Sequence, residues 1–291
     1  IGGGSHGQNT GRMIENIEAV ILKEQPDWLL VYGDTDSTLA GAIAASKLHV
    51  PIAHVESGLR SFNRRMPEEI NRIIVDQISE LLFTPTDLAT QNLETEGITG
   101  EKVRQVGDVM YDASIYYGHI ADEKSELLSQ FSLDPKSYAV ATIHREENTE
   151  DGSRLQSLIF ALEAVAEELP VIWPVHPRIK ESVKSSVLRL TQPFGYIDMQ
   201  CLIKNAQVVL TDSGGMQKEA FFHKVPCITL REETEWVELV ASGWNHLAGA
   251  TDTDHILKHF HTARMGIEHL KVGDWYGKGD AAKRIAEVLM G

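Results

Sequence analysis

The chain has 291 residues, 42% of them hydrophobic and 24% charged, which is sufficient for two domains with ordinary hydrophobic cores. Its net charge of −15 argues against a nucleic acid or an anionic membrane as partner, although a small phosphorylated ligand needs only a few amides and cations. The sequence has no signal peptide and no apolar run of about 20 residues, and its two cysteines cannot form a disulfide framework, so we expect no membrane association and a cytoplasmic location.

Hydrophobic periodicity predicts that strands alternate with helices in the first part of the chain. The predicted strands cover residues 28–32, 52–55, 81–83 and 103–106, and the helices cover residues 10–23, 37–48 and 86–96, with another beginning at Pro67. Residues 111–136 show no strand pattern and are predicted to be a helical connector.

A second alternating series follows the connector. Its strands are predicted at residues 138–143, 171–175, 208–210 and 227–230, and its helices at residues 154–168, 216–222, 254–264 and 281–290. This alternation is typical of an α/β protein with two doubly wound parallel sheets. We expect an N-terminal domain over residues 1–115, completed by a final helix in residues 276–291, and a C-terminal domain over residues 116–275.

Loops that follow parallel strands are the usual ligand sites of such sheets, and two domains of this kind would line a cleft with them. In the second domain, Thr-Asp-Ser-Gly-Gly at residues 211–215 lies between a strand and a helix. Gly214 and Gly215 allow a ligand to approach the backbone, and the amides of the first helical turn attract a phosphate. Ser213 can add a hydrogen bond, and Glu219 can accept one from ribose hydroxyls. An ordinary strand-turn-helix connection explains this stretch equally well when it is taken alone.

Basic and imidazole side chains follow two other strands of the second domain. Arg145 offers a planar set of donors for a diphosphate, and His144 can transfer protons near neutral pH. A solvated loop of mixed charge is the alternative interpretation. His176 follows the next strand, and a single histidine in such a place is more often structural than catalytic.

Carboxylates occupy the equivalent positions in the first domain. Asp34 and Glu56 each follow a strand, and Glu68 and Glu69 begin the helix after Pro67. Helix capping and the helix dipole explain any one of these acids. Several acids in the same strand-end layer, with a histidine and an arginine facing them, favour an enzyme over a binding module because such groups serve as acids and bases.

A metal site is poorly supported by the 12 histidines, which show no zinc-ligand spacing. His255 and His259 are four residues apart and can share a helix face, but a solvated face is the favoured interpretation. We therefore expect neither a metal nor another cofactor.

Seven stretches, in this order along the chain, resemble the non-hydrolysing UDP-N-acetylglucosamine 2-epimerase family. They lie at residues 4–7, 33–35, 54–60, 65–72, 144–148, 175–177 and 211–215. The resemblance implies the GT-B architecture, in which two doubly wound domains face a cleft and the last helix returns to the first domain. The first strands of the family pattern are absent, so we expect an incomplete N-terminal domain.

The resemblance also implies a reaction, namely epimerisation of UDP-N-acetylglucosamine at C2 to UDP-N-acetylmannosamine. UDP is eliminated, a 2-acetamidoglucal forms and is protonated on its other face, and UDP adds back. The positions that match the family's catalytic residues are Asp34, Glu56, Glu68 and His144. Those that match or lie within its UDP-binding positions are Arg145, His176, Ser213, Gly214, Gly215 and Glu219. Members of the family are commonly homodimers that serve cell-surface polysaccharide biosynthesis.

One departure from the family pattern leaves the sugar open. Residues 234–238 read Thr-Glu-Trp-Val-Glu where many members have Thr-Glu-Arg-Pro-Glu, and this variant looks more like relatives that act on diacetamido uronate sugars. The alternatives are therefore the same reaction on such a UDP-sugar, a hydrolysing 2-epimerase that releases UDP and N-acetylmannosamine, and a GT-B glycosyltransferase. A non-catalytic UDP-sugar sensor has no need for three acids opposite a histidine.

Overall fold

The structure is a computed structural model that describes residues 2–265, 269–270 and 272–291. The chain divides into two compact units, one formed by Ile1–Asp112 with Asp274–Gly291 and the other by Ala113–Gly273. Each unit is built on one parallel sheet with helices against it. The predicted α/β class with two parallel-sheet domains is therefore confirmed.

Helices and strands alternate through most of the chain. The first unit contains α1 (His6–Glu24), β1 (Leu29–Tyr32), α2 (Asp36–Lys47), β2 (Ile52–Val55), α3 (Pro67–Ile78), β3 (Leu81–Thr84), α4 (Asp87–Thr95) and β4 (Val103–Gln105). There follow α5 (Val109–Lys124), α6 (Leu127–Gln130), β5 (Ala139–Thr142), α7 (Glu146–Thr149), α8 (Gly152–Glu168), β6 (Val171–Pro174), β7 (Arg189–Thr191), α9 (Tyr196–Asn205), β8 (Val208–Thr211), α10 (Gly214–Phe222), β9 (Cys227–Thr229), α11 (Val237–Ala241), β10 (Asn245–Leu247), α12 (Thr253–Arg264) and α13 (Ala281–Met290).

The sheet of the first unit has the order β1-β2-β3-β4. All four residues of β2 are buried, as expected for a short, mainly apolar strand with a neighbour on each side. One hydrophobic cluster, around Val31 and Val75, includes residues of α1, α2 and α3; another, around Phe83, contains Ala281 and Ile285 of α13. Because the strands are parallel, the residues that follow β1 and β2 lie at one edge of this sheet.

The sheet of the second unit has the order β10-β9-β8-β5-β6-β7. Its core contains the fully buried side chains of Trp173, Leu158 and Phe260 on one side and Tyr138 and Leu202 on the other. Strands β5 and β8 pair from Ala139–Val208 to Thr142–Thr211, so both strands end at the same level. This register places the segments after them side by side.

Several elements differ from the sequence-based prediction. Between the predicted strands at residues 171–175 and 208–210 the structure has β7 and α9, and it adds β10 at one edge of the sheet. Strands β7 and β10 have three residues each and are edge strands with partly exposed residues, so they lack the long apolar pattern that marks a buried strand. Helix α1 begins at His6 rather than at residue 10 because Ser5 and Gln8 form a capping box.

The predicted helical connector over residues 111–136 is largely helical in α5 and α6.

Both cysteines are buried thiols, and burial raises the pKa of Cys227 to about 12. In the part of the chain that the structure describes, no helix combines the length and the hydrophobicity needed to cross a bilayer.

Candidate active site

Asp34 follows β1 and is held in place by α3. Gly33 has a φ of +62°, which glycine adopts without strain, and its amide donates to the Val55 carbonyl at 3.1 Å. The Arg72 guanidinium pairs with the Asp34 carboxylate, and Asn71 Nδ2 donates to the Asp34 carbonyl oxygen at 2.9 Å. Residues on one helix therefore fix both the main chain and the side chain of this acid.

Glu56 follows β2 in a left-handed backbone conformation, with a φ of +69°. The amides of Glu56 and Ser57 both donate to the Phe83 carbonyl oxygen, at 3.1 Å each. Glu56 Oε2 lies 3.6 Å from the position that a Cβ atom on Gly33 would occupy. A left-handed conformation is uncommon for a residue other than glycine and is often found at functional sites. The turn directs the Glu56 carboxylate toward the loop of Asp34.

The structure separates the two glutamates at the start of α3. Glu69 is 1% exposed, and its carboxylate accepts hydrogen bonds from the Ser61 and Phe62 amides at 2.9 Å each and pairs with Arg72 at 2.9 Å. Glu69 therefore holds the preceding loop. Glu68 is exposed and lines a pocket of about 280 Å³ within the first unit, together with Thr35 and Asp36. Of the two glutamates, Glu68 is thus the one that lines this pocket beside the Asp34 loop.

A buried charged network lies under these strand ends. His54 Nδ1 is 2.7 Å from Asp76 Oδ1, and His54 Nε2 is 2.8 Å from the Gly33 carbonyl oxygen. The other Asp76 oxygen accepts from the Gly58 amide at 3.1 Å and pairs with Arg60 at 2.8 Å. The network ties the turns after β1 and β2 to α3, so the loops with Asp34 and Glu56 share one support.

In the second unit, Asp212 joins the segments that follow β5 and β8. Its side chain is fully buried and accepts from the His144 and Arg145 amides at 3.1 and 3.0 Å and from Asn148 Nδ2 at 3.1 Å. His144 Nδ1 lies 3.0 Å from Asp212 Oδ1. Burial raises the pKa of Asp212, but the hydrogen bonds and charge of His144, with those of the Arg145 amide and Asn148, outweigh it and hold that pKa below its usual range.

The Thr-Asp-Ser-Gly-Gly turn begins α10 as predicted. Ser213 is the N-cap, and its Oγ accepts from the Met216 amide at 3.4 Å, while Gly214 and Gly215 form the first turn. Arg145 Nε donates to the Asp212 carbonyl oxygen at 3.1 Å, which brings this guanidinium beside the turn. A helix N-terminus with an arginine next to it is suited to bind a phosphate.

The turn is supported from a second loop, which follows β9. Trp236 Nε1 donates to the Gly214 carbonyl oxygen at 3.0 Å, and the Lys218 ammonium lies 4.2 Å from the Trp236 ring centre. Arg231 donates to both carboxylate oxygens of Glu235, at 3.1 and 3.2 Å. Burial raises the pKa of Glu235, but the hydrogen bond and charge of Arg231 outweigh this effect and lower it. The loop after β9 thus contacts the first turn of α10 through Trp236, and Lys218 of α10 lies over the Trp236 ring.

Glu219 and His176 occupy different surroundings within the second unit. Glu219 is 8% exposed and accepts from Gln200 Nε2 at 2.9 Å, and burial raises its pKa above the usual value, against the hydrogen bonds of Tyr196 and Gln200. His176 is exposed at the end of β6, where its Nδ1 accepts from the Arg178 amide at 3.3 Å. His176 follows the strand next to β5, and Glu219 lies on the inner side of α10.

Each unit therefore gathers most of its predicted residues at one sheet edge. Asp34, Glu56 and Glu68 do so in the first unit, and His144 and Arg145 lie beside the Ser213 turn in the second. The catalytic and binding roles assigned to these residues stay predictions.

Sequence reasoning assigned no role to Asp212, Arg72 or Trp236, although all three contact predicted site residues. Only Asp212 has a recognisable signal, because an acid at the end of a fully buried strand requires several hydrogen-bond donors.

The histidines of α12 form a local cluster. His255 Nε2 and His259 Nε2 are 3.1 Å apart, and the rings of His259 and His246 are 5.5 Å apart. Burial, and for His259 also the charge of His255, lowers the pKa of His246 and His259. Among the described residues, no group of three histidine, cysteine, aspartate or glutamate side chains has an arrangement that could hold a metal ion.

Comparison with known proteins gives matches over almost the whole chain. A family model described as UDP-N-acetylglucosamine 2-epimerase matches residues 1–290. A protein of Pseudomonas aeruginosa, UDP-2,3-diacetamido-2,3-dideoxy-D-glucuronate 2-epimerase, is 50% identical over 99% of this chain and 82% of its own length. A UDP-N-acetylglucosamine 2-epimerase homolog of Methanococcus maripaludis is 47% identical, again over 99% of this chain and 82% of the relative.

The fold is likewise similar to solved structures. The crystal structure of Methanocaldococcus jannaschii UDP-GlcNAc 2-epimerase in complex with UDP-GlcNAc and UDP aligns with a TM-score of 0.90 and 41% identity, over 99% of this chain and 82% of that chain. This likeness confirms the predicted GT-B type of fold.

Proposed function

The chain belongs to the UDP-N-acetylglucosamine 2-epimerase family, and we propose that it converts UDP-N-acetylglucosamine to UDP-N-acetylmannosamine by a non-hydrolysing route. The observation that carries the proposal is the likeness, over 99% of this chain, to a structure that holds UDP-GlcNAc and UDP. The acids, the histidine and the helix N-terminus described above are the groups that such a reaction needs.

We assign UDP to the residues at the sheet edge of the second unit. The amides of Gly214 and Gly215 and the Arg145 guanidinium would hold the diphosphate, since both supply donors in a fixed geometry. Glu219 lies on α10, which begins at the Ser213 turn, and its carboxylate would accept from the ribose hydroxyls. Ser213 and His176 complete the proposed binding set.

We assign the proton transfers at C2 to Asp34, Glu56, Glu68 and His144. A sugar C2 proton is weakly acidic, so its removal requires a placed base and stabilisation of the leaving diphosphate. In the elimination, the C2 proton passes to a base, the C1–C2 double bond forms, and the bond from C1 to the UDP oxygen breaks. The return reaction delivers a proton to the other face of C2, and the UDP oxygen attacks C1. The bond from C1 to UDP is thereby restored, with the configuration at C2 inverted.

The proposal is tested by incubating the protein with UDP-N-acetylglucosamine in D₂O and following the products by NMR. We expect deuterium at C2, appearance of UDP-N-acetylmannosamine and no accumulation of free UDP. Free UDP together with free N-acetylmannosamine would instead identify a hydrolysing enzyme. Lack of deuterium at C2 would exclude epimerisation of this substrate.

Variants test the assigned acids. Asp34→Asn, Glu56→Gln and Glu68→Gln should each lower the rate of C2 exchange by about 100-fold or more, the usual contribution of a general acid or base, while UDP binding persists. The control is Glu69→Gln, which removes a neighbouring charge on the same helix at a buried structural position. The Glu69→Gln variant should have a lower thermal stability. Its rate of C2 exchange, corrected for the fraction of protein that remains folded, should equal that of the wild type. Unchanged exchange in all three test variants would show that these acids do not carry the proton transfers.

A second candidate substrate is a UDP-linked 2,3-diacetamido uronate. Two observations favour it, namely the 50% identical relative that is named for such a sugar and the Thr-Glu-Trp-Val-Glu variant at residues 234–238. The same NMR assay with both substrates decides between the candidates. The preferred sugar is the one whose kcat/KM is at least about tenfold higher than that of the other, a difference of about 1.4 kcal/mol in transition-state binding.

A further inference from the structure

The Asp212 carboxylate has more hydrogen-bond donors than the capping of one loop requires. Oδ2 accepts from the His144 and Arg145 amides at 3.1 and 3.0 Å and from Asn148 Nδ2 at 3.1 Å. Oδ1 shares the His144 amide at 3.1 Å and lies 3.0 Å from His144 Nδ1. The main-chain donors and Asn148 thus converge mainly on one oxygen, and the imidazole contacts the other.

This geometry determines which ring nitrogen of His144 bears the proton. An ionised carboxylate only accepts hydrogen bonds, so the nitrogen that contacts it must donate. Neutral His144 is therefore the Nδ1–H tautomer, and Nε2 holds the lone pair that can take up a proton. The side chain of His144 is 45% exposed while that of Asp212 is fully buried, so the reactive nitrogen belongs to the accessible partner.

We propose that Asp212 is the positioning residue for His144, which it holds in the Nδ1–H tautomer so that Nε2 exchanges protons with the substrate. The inference rests on the proposed function and deepens it. When Nε2 is protonated, the nearby carboxylate also stabilises the imidazolium. Orientation of a catalytic histidine by a buried carboxylate follows the same physical logic as in hydrolases with a serine-histidine-aspartate triad.

Asp212→Asn tests the proposal because asparagine keeps the shape of the side chain. Three donors converge on the position of Oδ2, so the carbonyl oxygen of asparagine should remain there and its NH₂ group should face His144 Nδ1. An NH₂ group donates, so Nδ1 must then accept and the proton moves to Nε2. The variant thus preserves the loop and reverses the tautomer.

The tautomer is measured by NMR on protein labelled with ¹⁵N-histidine, with the His144→Gln spectrum to assign the signal. We expect Nδ1–H in the wild type and Nε2–H in Asp212→Asn. The rate of C2 exchange should fall by about 100-fold or more, with the affinity for UDP within about threefold of the wild type. In a His144→Gln background, Asp212→Asn should add little further loss, because both changes disable the same group.

The matched control is Asp151→Asn, which replaces another hydrogen-bonded aspartate, the N-cap of α8. Asparagine caps a helix equally well, so tautomer and rate should not change. Nε2–H in the wild type, an undiminished rate in Asp212→Asn, or an equal loss of UDP affinity and rate would overturn the proposal. If wild-type protein exchanges no C2 proton, the proposed function fails, and the spectra still decide the tautomer.

Discussion

Replacement of His223, at the end of α10, should reduce the loss of stability that this protein undergoes on acidification. His223 Nε2 lies 2.7 Å from Gln200 Oε1, and Gln200 uses its amide nitrogen to donate to Glu219. Gln200 therefore offers His223 an acceptor, and neutral His223 carries its proton on Nε2. On the other side, a Cβ atom on Gly118 would lie 3.1 Å from His223 Cε1, so the ring is closely packed.

Protonation of His223 is unfavourable in the folded protein. Burial, followed by the positive charges of Lys204 and Lys136, lowers its pKa from 6.5 to about 4. As the pH falls, the unfolded chain takes up this proton before the folded protein does. The contribution of neutral His223 to the free energy of unfolding is therefore complete above about pH 6.5, and it is lost progressively as the pH falls toward about 4.

The expected effect is about 2 kcal/mol of unfolding free energy lost between about pH 8 and about pH 5, and about 3 kcal/mol by about pH 4. Urea unfolding followed by tryptophan fluorescence measures this quantity at each pH. In His223→Gln the side chain can still donate to Gln200 but does not titrate. The difference in stability between wild type and variant should therefore shift by about 2 kcal/mol in favour of the variant over this range.

The control is His119→Gln, which removes an exposed histidine from α5, the helix that also contains Gly118. Its pH dependence should parallel that of the wild type. If His223→Gln also parallels the wild type, protonation of His223 is not a source of acid sensitivity, and the reasoning from its lowered pKa is wrong.

Three further predictions concern a glycine, a buried ion pair and the indole beside α10. Gly58→Ala should destabilise the protein by about 3 kcal/mol in thermal unfolding, because φ is +79° and a Cβ atom would lie 2.3 Å from a main-chain oxygen of α4. Gly97→Ala, with a φ of +78° and open space around it, should cost only about 1–2 kcal/mol. Equal losses in the two variants would contradict this reasoning. Arg72→Met should lower the free energy of unfolding measured in urea by about 3–5 kcal/mol, because the variant leaves the buried Glu69 charge without its ion-pair partner. A loss below about 1 kcal/mol would refute this prediction. Trp236→Phe removes the indole N–H that donates to the first turn of α10. The variant should bind UDP about 3- to 10-fold more weakly in calorimetry. Unchanged affinity would show that the turn does not depend on this hydrogen bond.

The sequence alone was sufficient to predict the fold class, most of the strands and the sheet edges at which polar residues collect. These features are local. Residues 52–55 form a mainly apolar run between turn signals, and such a run is buried in whichever parallel sheet accepts it. The same reasoning failed for β7 and β10, since a three-residue edge strand contains too little hydrophobic pattern to be recognised.

The partners of the site residues depended on the tertiary structure. Glu68 and Glu69 are equivalent by sequence, and only the folded loop before α3 shows that Glu69 is the buried support. Asp212 contacts the His144 amide across 68 positions of the chain because β5 and β8 are neighbours. Periodicity reports which side of an element is buried, whereas strand order decides which distant side chains meet. The sequence therefore determined where the chemical groups lie along the chain, and the packing of the sheets decided which of them act together.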